Sequence, residues 1–185
     1  MSTGQPQLRA AGVLCDPRGD GPEVMRRFAE SLAAQGVRVA GLVQEVLQFD
    51  DGTKRGIDII DLADGIRLPL SRYTREQLQN RVCTLDTQVL AEASGTLRRA
   101  LQNGADLIIV EKFGVHERKG RGLHTELSEI ILAGIPLLAA VPRSAAEDWE
   151  AFTGGLAPLI PASPVALAQW WTKVGDEFSA HPPII

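Results

Sequence analysis

The chain has 185 residues, 44% of them hydrophobic and 23% charged, with a formal net charge of -4. That length and balance suit one soluble α/β-sized core, and the mild acidity excludes a global basic field for nucleic acid. Two cysteines, Cys15 and Cys83, exclude a disulfide framework and a structural zinc site, and no apolar run reaches the roughly 20 residues of a membrane span.

The polar start, residues 1–7, lacks the apolar stretch of a secretory leader, so a cytoplasmic location is the expectation. Residues 9–15 predict a short buried strand. A Gly19-Asp20-Gly21 turn follows, and Pro22 suits the first turn of a helix in which Val24, Phe28 and Leu32 recur at helical spacing. Residues 37–43 predict a second buried strand. Residues 54–61 and 66–71 are two extended runs joined by Leu62, Ala63, Asp64 and Gly65, a turn signal that predicts a β-hairpin. This hairpin is expected either at the sheet edge or as an excursion from it.

Asp86 is expected to cap a helix that runs to about residue 103 and buries Val89, Leu90, Ala93, Leu97 and Leu101. Residues 106–111 are the clearest central strand. Residues 112–122 are expected to be a loop, 124–133 a helix, and 136–141 another buried strand. A tail punctuated by Pro158, Pro161 and Pro164 leads to a last helix that contains Trp170 and Trp171. Alternating strands and helices predict a three-layer α/β fold, a mostly parallel sheet flanked by helices. One domain is expected over residues 8–179, with flexible termini at 1–7 and 180–185.

In such sheets ligands bind beyond the carboxyl ends of the strands. Three segments fall there: 15–23, 44–55 and 111–122. The first has the order of a phosphate-binding P-loop, which ends Gly-x-Gly-Lys-Ser/Thr. Pro22 stands at the lysine position and Glu23 at the magnesium-binding hydroxyl, so the loop is degenerate and ordinary phosphoryl transfer is not expected. Asp16, Arg18, Gly19, Asp20 and Gly21 remain candidates for holding an anion, by backbone N–H groups at a helix start. An ordinary tight turn explains the same residues equally well.

The third segment carries Lys112, Arg118, Gly120, Arg121 and Gly122, arginines and glycines suited to an oxyanion. A solvated loop whose charges pair with one another is the competing explanation. Glu111 and Glu23 are the candidate magnesium ligands. Cys15 and Cys83 are expected to be small buried hydrophobes rather than thiolates or metal ligands. His116 and His124 lack a zinc spacing, Asp58 and Asp61 fit a half-buried strand, and Trp149, Trp170 and Trp171 suit packing or an interface.

These pieces taken together, Gly36 to Glu45, Arg55 to Asp61 and Asp106 to Gly114, resemble the small P-loop nucleoside-triphosphatases. Cys83-Thr84-Leu85-Asp86, Glu111-Lys112-Phe113-Gly114, Glu117 with Gly120-Arg121-Gly122, Gly134 to Val141, and Trp149 with Phe152 and Gly154-Gly155 resemble more closely the bacterial family known as domain of unknown function 2478. The resemblance covers about residues 10–160. It implies a P-loop NTPase-like fold and an association with molybdate-transport operons.

A non-hydrolytic binding protein for molybdate, tungstate or a nucleotide is the expected function, with magnesium or molybdate as the bound species and no nucleic-acid or membrane partner. Two alternatives stay open. One is a nucleoside-triphosphatase in which Lys112 replaces the missing loop lysine. The other is a homodimeric partner-binding protein using the Trp170-Trp171 helix.

Overall fold

Residues 10–15 alternate small apolar side chains that face both ways, and they form the parallel strand expected of them. The computed structural model describes residues 8–16, 19–80 and 86–180. In chain order they form β1 (Ala10–Cys15), α1 (Gly21–Ala34), β2 (Val39–Gln48), β3 (Lys54–Asp61), β4 (Arg67–Arg72), α2 (Arg75–Gln79) and α3 (Thr87–Gln102). There follow β5 (Leu107–Val110), α4 (Val115–Arg118), α5 (His124–Leu132), β6 (Leu137–Pro142), a 3-10 turn, α6 (Ala146–Thr153), β7 (Leu159–Pro161) and α7 (Pro164–Ala180).

One seven-stranded sheet runs in the order β4-β3-β2-β5-β6-β1-β7. The five strands from β2 to β7 pair in parallel. β3 and β4 add antiparallel partners on the β2 side. The hairpin is therefore the edge of the main sheet, one of the two placements the sequence left open.

Alternation along the buried strands builds two cores, one per face. Leu107, Ile109, Leu138 and Ala140 face Met25, Ala29 and Leu32 of α1 and Leu167, Trp170 and Val174 of α7. Ile108, Val110, Leu137 and Ala139 face Val89, Ala93 and Leu97 of α3, Leu127 and Ile130 of α5, and Trp149 of α6. The result is three layers, helices on both sides of the sheet. Asp86 caps α3 as its position predicts: its carboxylate accepts from Gln88 N–H at 2.8 Å and Val89 N–H at 3.4 Å.

α2 and α6 form where the sequence marked no element, and three expected segments differ. β2 runs to Gln48 rather than stopping at 43, because β3 continues the antiparallel pairing to Leu47 opposite Gly56. The expected loop 112–122 contains α4, organised around the buried Glu117 carboxylate, which accepts from Gly114 N–H at 2.9 Å and Leu123 N–H at 3.1 Å. The proline-rich tail contains β7, which pairs with β1.

Candidate functional site

The turn after β1, the end of β2 and the segment after β5 meet at the carboxyl edge of the sheet, around a groove of about 1280 Å³. Topology brings them there: β1, β6, β5 and β2 are parallel neighbours, so their ends share one edge. A smaller cavity of about 370 Å³ lies on the far side of the same turn, against Arg143, Pro161 and Ala162.

α1 begins tight against β1. A Cβ on Gly21 would stand 2.6 Å from Cys15 Sγ, so glycine is required for this approach. Gly19 N–H closes the turn onto Asp16 O at 3.0 Å. Asp20 precedes the helix without a side-chain capping bond, and Pro22 in the first turn has no N–H to offer a ligand. Glu23 is engaged by its own helix, pairing with Arg26 at 2.7 Å and Arg27 at 2.6 Å. Hydrogen bonds from these two guanidinium groups hold its carboxyl below the usual range.

Glu111 ends β5 and is buried, 6% exposed. Its Oε2 accepts the Gln44 N–H at 2.5 Å. Burial pushes its carboxyl up to about 7, against the pull of that N–H and of the Lys112 charge. Beside it, burial and then the Glu111 and Asp16 charges push the Cys15 thiol up to about 11. Cys15 is thus the hydrophobe-like thiol expected, not a thiolate.

Lys112 lines the groove and is exposed. The other cations lining it are committed: Arg26 to Glu23 and Glu30, Arg67 to Glu45, and Arg118 to Asp148 at 3.3 Å. Among the described residues Lys112 is the one groove cation with no carboxylate in salt-bridge range. Across the described lining, carboxylates outnumber cations seven to four.

The structure therefore brings together Asp16, Gly19, Glu23, Glu111, Lys112 and Arg118 around the groove, and Asp16, Gly19, Asp20 and Gly21 around the smaller cavity. Gly120, Arg121 and Gly122 line neither. The two glycines, at φ 69° and 59°, turn the chain back over Glu117. Arg18 and Cys83 lie outside the described residues. His124 is structural, its Nδ1 2.9 Å from Glu117 O and its ring against Phe152. Asp58 pairs with Arg72 at 2.5 Å, and Asp61 accepts from Ala63 N–H at 2.9 Å. Trp149 is buried, T-shaped against Phe113.

Gln44, Glu45, Arg67 and Asp148 also line the groove and were not singled out from the sequence. The segment 44–55 was placed there by topology, but no motif marks individual residues in it.

No three His, Cys, Asp or Glu side chains gather as a metal site among the described residues. Glu23 and Glu111 both line the groove, Glu23 engaged by two arginines and Glu111 by a main-chain N–H.

Residues 10–170 match the family described as Protein of unknown function (DUF2478). The molybdenum import ATP-binding protein ModC 2 of Bradyrhizobium diazoefficiens is 34% identical over 163 residues, 88% of this chain and 18% of that protein. The nucleoside-triphosphatase THEP1 of Pyrobaculum aerophilum is 28% identical over 113 residues, 61% of this chain and 62% of that one. The chain thus spans less than two thirds of either relative's length. The solution structure of a human cancer-related nucleoside triphosphatase superposes with a TM-score of 0.63 at 19% identity, over 92% of this chain and 99% of that one.

Proposed function

The chain belongs to the family of unknown function DUF2478, and on that premise we propose that it binds a nucleotide, or a tetrahedral oxyanion such as molybdate or tungstate, without hydrolysing it. The observation that carries this reading is Lys112. Among the described residues it has no carboxylate in salt-bridge range, in a groove that also receives the start of α1, while Pro22 and Glu23 occupy the places where phosphoryl transfer needs Lys and a hydroxyl. Because the lining as a whole is acidic, attraction for an anion is local to Lys112, to the N–H groups opening α1 and to Arg118 if it leaves Asp148.

The relatives support the ligand class. One is a nucleoside-triphosphatase by name and another an ATP-binding protein of molybdenum import. A role beside molybdenum uptake is part of this proposal. Among the described residues no helix is long and apolar enough to cross a membrane.

Calorimetric titration with ATP, GTP, molybdate, tungstate and inorganic tripolyphosphate tests the reading. Saturable heat with a nucleotide or an oxyanion, and phosphate release no faster than buffer, is the expected result. Magnesium-dependent release that Lys112→Ala abolishes would convert the protein into an enzyme, and no heat with any of them would remove the reading.

A further inference from the structure

β2 continues where its inner neighbour stops. Its pairing with β5 ends at Leu42 opposite Val110, yet β2 runs on to Gln48. In an antiparallel ladder the main-chain groups alternate in direction. Gly41 O accepts Leu62 N–H at 2.9 Å toward β3, and Leu42 O accepts Glu111 N–H at 2.8 Å on the other side. Even-numbered residues of β2 therefore turn their N–H and C=O away from β3. Gln44 N–H is taken by Glu111. The next two groups in that row, Gln44 C=O and Val46 N–H, face the groove that both residues line, and Val46 is 54% exposed.

The fold covers its other edges. β4 carries Pro69, and Asp86 N–H bonds Leu70 O at 2.9 Å on its outer side. β7 has three residues and closes on Pro161. Among the described residues the overhang of β2 has neither device.

A C=O and the N–H two residues on, both turned outward from one strand, match the edge of a nucleobase, which sets a donor beside an acceptor. From β2 to β1 there are three strand spacings, about 14 Å at ~4.8 Å each. A nucleotide laid across them puts its ribose over the end of β5. There Glu111 offers the carboxyl oxygen that Gln44 does not use, an acceptor suited to ribose hydroxyls and unsuited to phosphate.

We infer that the open edge of β2, through Gln44 C=O and Val46 N–H, is a nucleobase site, with Glu111 on the ribose and the phosphates toward Lys112 and α1. This rests on the nucleotide reading above. ATP, GTP and inorganic tripolyphosphate, titrated into the wild-type chain, Val46→Pro and Val46→Ala, test it. Proline removes an N–H that makes no bond to β3, and alanine keeps it.

ATP and GTP should bind the wild type more tightly than tripolyphosphate does. Val46→Pro should bind nucleotides about tenfold more weakly than Val46→Ala, which keeps the N–H, with tripolyphosphate binding the two variants alike. Equal binding of ATP and tripolyphosphate overturns the base site and leaves the anion site standing. Binding of nothing overturns both. Undiminished nucleotide affinity in Val46→Pro overturns the base site as well. Should Val46→Pro not fold, the wild-type Val46 amide decides by hydrogen exchange. Slowing with ATP but not with tripolyphosphate is expected, and an amide indifferent to ATP overturns the inference.

Discussion

Glu111 accepts the Gln44 N–H at 2.5 Å, so its side chain fills the place that the next main-chain carbonyl of β5 would hold. One carboxyl thereby ends a strand, lines the groove and stays buried without an ion pair among the described residues.

That burial has a pH signature. The Glu111 carboxyl titrates near 7 when folded, above its ordinary value of 4.5, so between the two the native state holds a proton that the unfolded chain has lost. The associated stability is full below about pH 4.5 and is lost as pH rises through about 7, on the order of 3 kcal/mol in total. Glu111→Gln removes the titration and keeps an acceptor for Gln44. Thermal melts should show the variant gaining on the wild type from pH 5 to pH 8. Parallel melting profiles would contradict the assignment.

Lys112→Ala should weaken tripolyphosphate and nucleotide binding by about tenfold and flatten its salt dependence, since an exposed cation acts through a screened field. Calorimetry at two ionic strengths reads both. Lys112→Arg should retain most of the affinity. An alanine variant that binds as well as the wild type takes Lys112 out of the site.

Gly41 crosses β5 at φ 128°, where a Cβ would overlap the Ile109 backbone. Gly41→Ala should therefore cost more than about 3 kcal/mol in chemical denaturation, since neither the dihedral nor the neighbouring backbone yields cheaply. A loss under about 1 kcal/mol would show that the sheet relaxes here.

Trp170 is 7% exposed and packs into the α1–α7 core, whereas Trp171 is half-buried. Trp170→Ala should cost about 3–5 kcal/mol and Trp171→Ala distinctly less. If two copies pair through this helix, Trp171→Ala is the variant that shifts sedimentation while the fold persists. Unchanged sedimentation removes Trp171 from any such pairing.

Cys15, with its thiol near 11, should alkylate at pH 8 roughly two orders of magnitude more slowly than a free thiol. A Cys83→Ser background isolates its rate. Rapid labelling would mean that the turn after β1 opens.

The amino-acid sequence by itself determined the layers. Continuous apolar runs at residues 10–15 and 107–110, the Asp86 cap and the helical stripe of α3 are local signals, and each element formed where its signal lay. It also determined that Pro22 and Glu23, not a lysine and a hydroxyl, follow Gly19-Asp20-Gly21, because chemistry at a fixed spacing is written in the chain. Tertiary structure alone decided the rest. Glu111 meets Gln44 across 67 positions, Arg118 meets Asp148 on a helix no motif announced, and β2 outruns β5 because β3 extends the ladder on one side only. Such relations depend on strand order and register, which arise from packing between distant segments, and no local periodicity encodes them. The same packing left Lys112 as the unpaired groove cation among the described residues, while loop cations of similar sequence character, Lys119 and Arg121, stayed outside its lining.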